Sequence, residues 1–547
     1  IKDELGEITD GNIIASNGHV IIEAGIKPPA EETGIVINDS NIQAKDYINV
    51  VSYSEDVANG GSFVVDQGDI NIKAAGSVVN VGDMLVSPDN AKGSGNVTIT
   101  ANKDLYNSGV IETPAGDITL TVEQDGVVYN EEGADFLTKG NITIVNKTPE
   151  DKLYRFDIKV DEEKRSIQNL FGVEKKRNEN GEYLNGLVVN KGDLLADAGT
   201  IEIKSDSSDV YNYDDFKTFD RKGQPEEYLD EFNGHIISTS DIILDAAKGE
   251  LVNSKDLVSD RGNITLTAKK GLVNFAYHVI ADKNITLTAT DGHVVNSSVI
   301  ESNQGDVKII ADKGDVINKQ GADIVSLGGN VELHAGGETD NAIYFIGSST
   351  DLFDENAVPQ KLADNVKSYE VERFYLDEAG QWQLITNDTQ APDSYAKIKT
   401  VVNYTTDDGT QGSKEWEDDV AVFKNGATVN YGDIIAINEN AKVEEKDAKG
   451  SIILKSEHSD VFNYDDFNKS SNGSGVSEKY QDHDENSYNV ATGNIEILAP
   501  EGEVYNSKKL LVALGNVTLE AAKGMDSFGD TIYAGKNINL TATEGDL

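Results

Sequence analysis

Residues 262–318 read GNITLTAKKGLVN, FAYHVIAD, KNITLTATDGHVVN, SSVIESNQ, GDVKIIADKGDVIN, one phrase stated three times. The phrase opens at Gly262, Lys283 and Gly305, in steps of 21 and 22 residues. Self-similarity at such a period marks a repeat architecture. Within a unit, Ile264, Leu266 and Ala268 alternate with Thr265 and Thr267, the pattern of a half-buried strand. A second short strand ends on an asparagine (Val294 to Asn296), and a third carries Val299 and Ile300. Three such strands cannot bury a face alone, but stacked copies pair their backbones with the turns above and below. The expected fold is all-β, a right-handed parallel β-helix of 21–22 residues per turn, the hand following from the crossover rule for parallel strands.

The alternation predicts that Ile264, Leu266, Ile285, Leu287, Val307, Ile309 and Val294 point inward. Asn253, Asn274, Asn296 and Asn318 recur at one place in the unit. In a stack they form a column of amides bonded to one another, unless each merely accommodates a tight turn.

Composition suits this architecture. The chain has 547 residues with 51 Gly and 9 Pro, and a formal net charge of −49. Such a surface repels nucleic acid and anionic lipid. With no cysteine, a disulfide framework and a Cys-ligated zinc site are excluded.

Gaps between unit openings predict where the plain solenoid is interrupted. Coils are expected over 1–147 with an insertion near 25–60, then a β-rich insertion over 148–196. Coils resume over 197–341 with a short insertion near 213–238, a β-subdomain fills 342–448, and coils over 449–547 carry an insertion near 464–490. Insertions in solenoids map to loops projecting from the stack. They are themselves repeated: DVYNYDDF at 209–216 returns as DVFNYDDF at 460–467, GLVVNKGD at 186–193 as GATVNYGD at 426–433, and GELVNSKDL at 249–257 as GEVYNSKKL at 502–510. A module of coils plus decorations has been duplicated, and the chain is expected to be a segment of something longer. In the 342–448 insertion, ERFYLDEAGQWQLIT and YAKIKTVVNYTTDDGTQGSKEWEDDVAVF read as two hairpins.

Signals for chemistry are sparse. The histidines (His19, His235, His278, His293, His334, His458, His483) never pair at i, i+4, and neither HExxH nor Gly-x-Ser-x-Gly occurs. The chain is read as not an enzyme, the rival being a polysaccharide-acting β-helix, whose clefts hold clustered Asp with Arg or Lys. Calcium is the one cofactor with candidates: Asp214 and Asp215, their copies Asp465 and Asp466, and Asp482 with Asp484 supply hard oxygens, although surface charge is the favoured reading. Asn96, Asn141, Asn263, Asn284 and Asn516 begin Asn-x-Thr triplets that the strand opening itself generates. Tyr375, Trp382 and Trp416 are the candidate ligand contacts, since aromatic faces on an exposed subdomain suit sugar or receptor surfaces, although for each tryptophan taken alone the subdomain's own core is the favoured place.

The phrases GNITLTAKKGLVN, KNITLTATDGHVVN and GDVKIIADKGDVIN resemble the repeats of filamentous haemagglutinin-type adhesins. The resemblance covers most coils and none of the insertions. It implies a large bacterial protein exported unfolded by two-partner secretion, with an outer-membrane partner, and folding outside the cell. The function it implies is a structural stalk of a secreted or cell-surface adhesin, contacting receptors or glycans of a host or neighbouring cell. A self-associating module of a cell-surface filament or layer is the second alternative.

Overall fold

The computed structural model describes residues 12–25, 34–86, 95–160, 173–177, 183–213, 234–319, 321–338, 343–347, 366–376, 381–384, 396–406, 410–424, 426–438, 449–464, 487–527 and 531–547. The fold is a parallel β-helix. The chain divides into two units, 1–215 with 232–287, and 216–231 with 288–547.

Each coil in the first unit makes three strands. An opening strand such as Val97–Ala101 is followed by an asparagine strand, Leu105–Asn107, and a closing strand, Ile111–Thr113. Every strand pairs in parallel, in register, with the same strand one coil on: Val97 with Ile118, Leu105 with Val128, Ile111 with Phe136. Stacking therefore repeats one inward set, and Ile99, Leu120, Leu105, Ile264, Leu266, Ile285 and Leu287 are fully buried. The second unit repeats the plan. Val307–Ala311 pairs with Val331–Ala335, and that with Ile452–Ser456. Val294, Val307 and Ile309 are fully buried there, as the alternation predicts.

A column of amides runs through each unit. Asn38 Nδ2 donates to Asn59 Oδ1 at 2.7 Å, and the chain of bonds continues through Asn80, Asn107, Asn130, Asn190, Asn212, Asn253 and Asn274 at 2.6–2.9 Å. In the second unit it runs Asn296, Asn318, Asn430, Asn463, Asn506 at 2.7–2.9 Å. The second Nδ2 proton usually closes the coil's own corner, as from Asn253 to the Lys255 carbonyl at 2.9 Å. Both protons and the oxygen are thus satisfied inside the core, where an unmatched amide is costly. The column forms; the asparagines do more than accommodate a turn.

Corners are tied from outside as well. The aspartate just before a strand accepts, through Oδ1, the backbone N–H of its counterpart position one coil on: Asp104 from Val127 at 2.9 Å, Asp241 from Asn263 at 2.8 Å, Asp315 from Ala427 at 2.9 Å, Asp460 from Glu503 at 2.8 Å. Part of the chain's acidity is therefore structural.

Several stretches expected as insertions are coil. Within 25–60, Val36–Asn38, Asn41–Ala44, Ile48–Ser52 and Val57–Asn59 all join the three sheets. Val188–Asn190 and Leu194–Ala196 close a coil inside the expected 148–196 insertion, as Thr428–Asn430 and Ile434–Ala436 do inside 342–448. Likewise His235–Ser238 and Tyr488–Ala491 are closing strands. The reason is where decorations interrupt. The two large ones leave between an opening strand and its asparagine strand, so the coil's second half follows the insertion without its Gly-Asn signature.

Those decorations are small antiparallel sheets. Arg155–Val160 pairs with Val173–Arg177 and Tyr183–Leu184. A five-stranded sheet has the order Ile343–Gly347, Gln411–Lys424, Ala396–Thr406, Val366–Leu376, Trp382–Leu384. Both expected hairpins of the longest insertion are present in it.

Replacing Asn253 with Ala removes the acceptor of Asn212 Nδ2 and the donor to Asn274 and to the Lys255 carbonyl. The variant should lose roughly 2–5 kcal/mol, read as an earlier denaturant midpoint and faster amide exchange in the flanking coils. A shift below about 0.5 kcal/mol would show that the column is incidental.

Candidate functional site

The five-stranded sheet is inserted between Glu338 and Gly426, where the chain nearly closes on itself. A Cβ placed on Gly426 would lie 1.9 Å from the Gly337 carbonyl oxygen. Gly426 has φ +87°, a conformation open to glycine at little cost. Its carbonyl accepts the Ser456 hydroxyl at 2.6 Å. The duplicated position, Gly186 (φ +89°), accepts Ser205 at 2.7 Å in the same way. The coil is thus completed by its own groups, and the sheet is carried on it.

Register distributes the candidate contacts of this sheet. Trp382 stands opposite Leu376, Tyr375 opposite Gln383 and Ile398, and Trp416 opposite Thr400. Two-residue alternation puts Trp382 in one set with Leu376, Phe374 and Lys399. Trp382 is half-buried, and the Lys399 ammonium lies 5.0 Å from its ring centroid and 5.4 Å from that of Phe374. These are cation–π distances: one aromatic patch already holds an internal cation.

The calcium candidates Asp214, Asp215, Asp465, Asp466, Asp482 and Asp484 lie outside the described residues. Among the described residues, no group of three or more His, Asp and Glu is placed to hold a metal. Histidines are built into coil-to-coil contacts. His293 Nδ1 lies 2.9 Å from Asp315 Oδ2, His334 Nε2 lies 2.9 Å from Glu457, and His458 Nδ1 lies 3.1 Å from Glu501. His19 stacks on Tyr47 at 4.4 Å.

Sequence reasoning missed two buried lysines. Lys508 is fully buried, and its ammonium donates to the Tyr431 carbonyl at 2.9 Å, Asp433 Oδ1 at 2.9 Å and Ser487 Oγ at 2.8 Å. Lys255, 1% exposed, makes the matching bond to Asp193 at 3.0 Å. Each ammonium reaches across an intervening coil whose chain departs after its asparagine strand, at Tyr464 and at Tyr213. A cation there replaces the corner that the departing chain does not make. The signal was present in the duplicated SKDL and SKKL, each paired with a duplicated Gly-Asp (192–193 and 432–433).

Substituting Lys508 by Met leaves Asp433 and the Tyr431 carbonyl without their cation, and should cost about 3 kcal/mol in the unfolding midpoint. No measurable change would mean that the pair only decorates the corner. The hydrogen bond from Lys455, aided by His334, holds the Glu457 carboxyl below the usual carboxylate range. A lowered folded-state value stabilises the fold at pH above the unfolded value, ~4.3. That contribution disappears as pH falls through the folded value. Glu457→Gln should therefore be less stable than the parent near neutrality and converge with it as the pH falls below the folded-state value in a pH series of thermal melts. Parallel curves at every pH would contradict this.

Comparison with known proteins finds no matching family model, no matching curated protein and no matching solved structure.

Proposed function

We propose that this chain is a stalk segment of a large secreted or cell-surface bacterial adhesin, in which stacked coils give reach and the inserted sheets give contacts. The observation that carries the reading is the meeting of Gly337 and Gly426 at the base of the five-stranded sheet. A sheet that coil stacking does not require, mounted on a repetitive scaffold, is where recognition concentrates. The resemblance of the coil phrases to filamentous haemagglutinin repeats supports the same reading. So do the absence of cysteine, which leaves nothing to misbridge during export, and a charge of −49 that keeps a long repeat array soluble. The ligand class proposed is a cell-surface receptor or glycan, engaged through the insertion rather than through the coils. Export through an outer-membrane partner belongs to the same proposal.

Removing residues 339–424, so that Glu338 runs into Asn425 and Gly426, tests it. The variant should keep its β-sheet circular dichroism and thermal transition, while attachment to cells or immobilised glycans falls at least tenfold. Undiminished attachment by the folded variant would place the contact surface elsewhere. Turnover of a polysaccharide, lost on changing a single aspartate, would favour the enzyme instead.

A further inference from the structure

The outward side of the closing sheet in the first unit carries an apolar row. Register pairs Leu137 with Leu195, Leu195 with Ile237, Ile237 with Val258 and Val258 with Ile280. Leu137 and Leu195 are each 37% exposed, and the other three are partly exposed. Their neighbours Phe136, Leu194, Ile236, Leu257 and Val279 fill the core, so this row is surplus to it. The opening sheet of the same coils shows that strand formation does not demand apolar side chains here. Its outward row over these coils runs Thr119, Thr143, Glu202, Ile243, Thr265, four of the five polar, and threonine fits a strand as well as valine does.

Aspartates line the row on both sides. Asp135, Asp193 and Asp256 stand two residues before it, and Asp197, Asp260 and Asp282 two residues after it. Lys139, His235, Thr239 and His278 complete the rim. Lys255 is buried against Asp193, and His278 Nδ1 lies 3.6 Å from Asp256. Arg261 and Lys283 stand one residue further out. An apolar ridge with a carboxylate rim repels anionic lipid and a second copy of this chain, which would bring the same rim.

We propose that this stripe docks a basic amphipathic α-helix from a partner protein, lying along the stacking direction. Successive coils advance ~4.8 Å and successive helical turns 5.4 Å. An i, i+3/i+4 apolar stripe therefore drifts by only ~2.4 Å against the five rows, which span ~19 Å. Lysines or arginines flanking the helix stripe meet the two aspartate rims, so the charge complementarity is specific to a cationic partner. The inference stands apart from the attachment reading, which places contact on the inserted sheet of the other unit.

The test titrates the full chain into a labelled 18-residue helical peptide with a leucine stripe flanked by lysines. A peptide of the same composition in scrambled order serves as comparator, and fluorescence anisotropy is the readout. The ordered peptide should bind saturably, at least tenfold tighter than the scrambled one. Binding should fall at least tenfold in Leu195→Thr/Ile237→Thr/Val258→Thr, and remain in Thr265→Ala on the opening sheet. A second variant, Asp197→Asn/Asp260→Asn/Asp282→Asn, leaves the ridge intact and should flatten the salt dependence of binding. This keeps the proposal testable if the first variant folds poorly. Equal affinity for the two peptides, or unchanged binding by both variants, overturns it. So does self-association of the parent chain that the threonine variant abolishes, which would assign the stripe to a second copy.

Discussion

An amide sealed inside a β-coil has two protons and an oxygen to satisfy, and no single coil of this protein can satisfy them. The coil above or below must. That requirement makes the asparagine column more than an ornament of the fold: Asn130 can be buried only because Asn107 is there to donate to its oxygen and Asn190 to accept from its Nδ2. Hydrophobic stacking is tolerant of small shifts along a strand, whereas an amide ladder at 2.6–2.9 Å is not. The column therefore sets the register that brings Val97 over Ile118 and Val128 over Leu105. Aspartates at the corners repeat the device at the surface with a backbone N–H as donor. A negative chain can then stack closely because many of its carboxylates are already bonded to the next coil.

Fixing register in this way frees the corners to carry other things. A decoration can leave between the opening strand and the asparagine strand if the chain returns in register, and Gly186 and Gly426 make that return with left-handed backbone, Gly426 in close approach to Gly337 at the other end of the interruption. Where a chain departs at the other corner, a buried lysine ties coils on either side of it. Both devices occur twice, at matching places of the duplicated module, which ties the decorations to the coils that support them.

Much of this was legible in the sequence because the signals are local and periodic. Ile264 and Leu266 announce a strand by alternation, and Asn253, Asn274, Asn296 and Asn318 announce a column by spacing. The two hairpins of the long insertion were legible from apolar runs on either side of polar turns. The coils at 36–59, 188–196 and 428–436 were not, because three-residue strands such as Val-Val-Asn carry too little pattern once an insertion or an atypical Asp46-Tyr47 corner removes the Gly-Asn opening. The grouping of Trp382 with Phe374 and Lys399 depends on antiparallel register, which appears only once partner strands are matched. Lys255 and Lys508 look like surface lysines until Asp193 and Asp433, two coils away, are brought beside them. The candidate site was thus legible as a segment and not as a surface.

The central claim is that coil-to-coil bonding alone holds the scaffold, with the decorations carried on it. Hydrogen–deuterium exchange of the intact chain, resolved by peptide, addresses this directly. Amides of the inward strands Ile264–Ala268, Ile452–Ser456 and Ile495–Ala499 should exchange slowly and at similar rates, as a repetitive ladder requires. Strand Trp382–Leu384, bonded to one neighbouring strand at the edge of its sheet, should exchange much faster. Rapid exchange of the opening strands, or protection confined to the five-stranded sheet, would contradict the account.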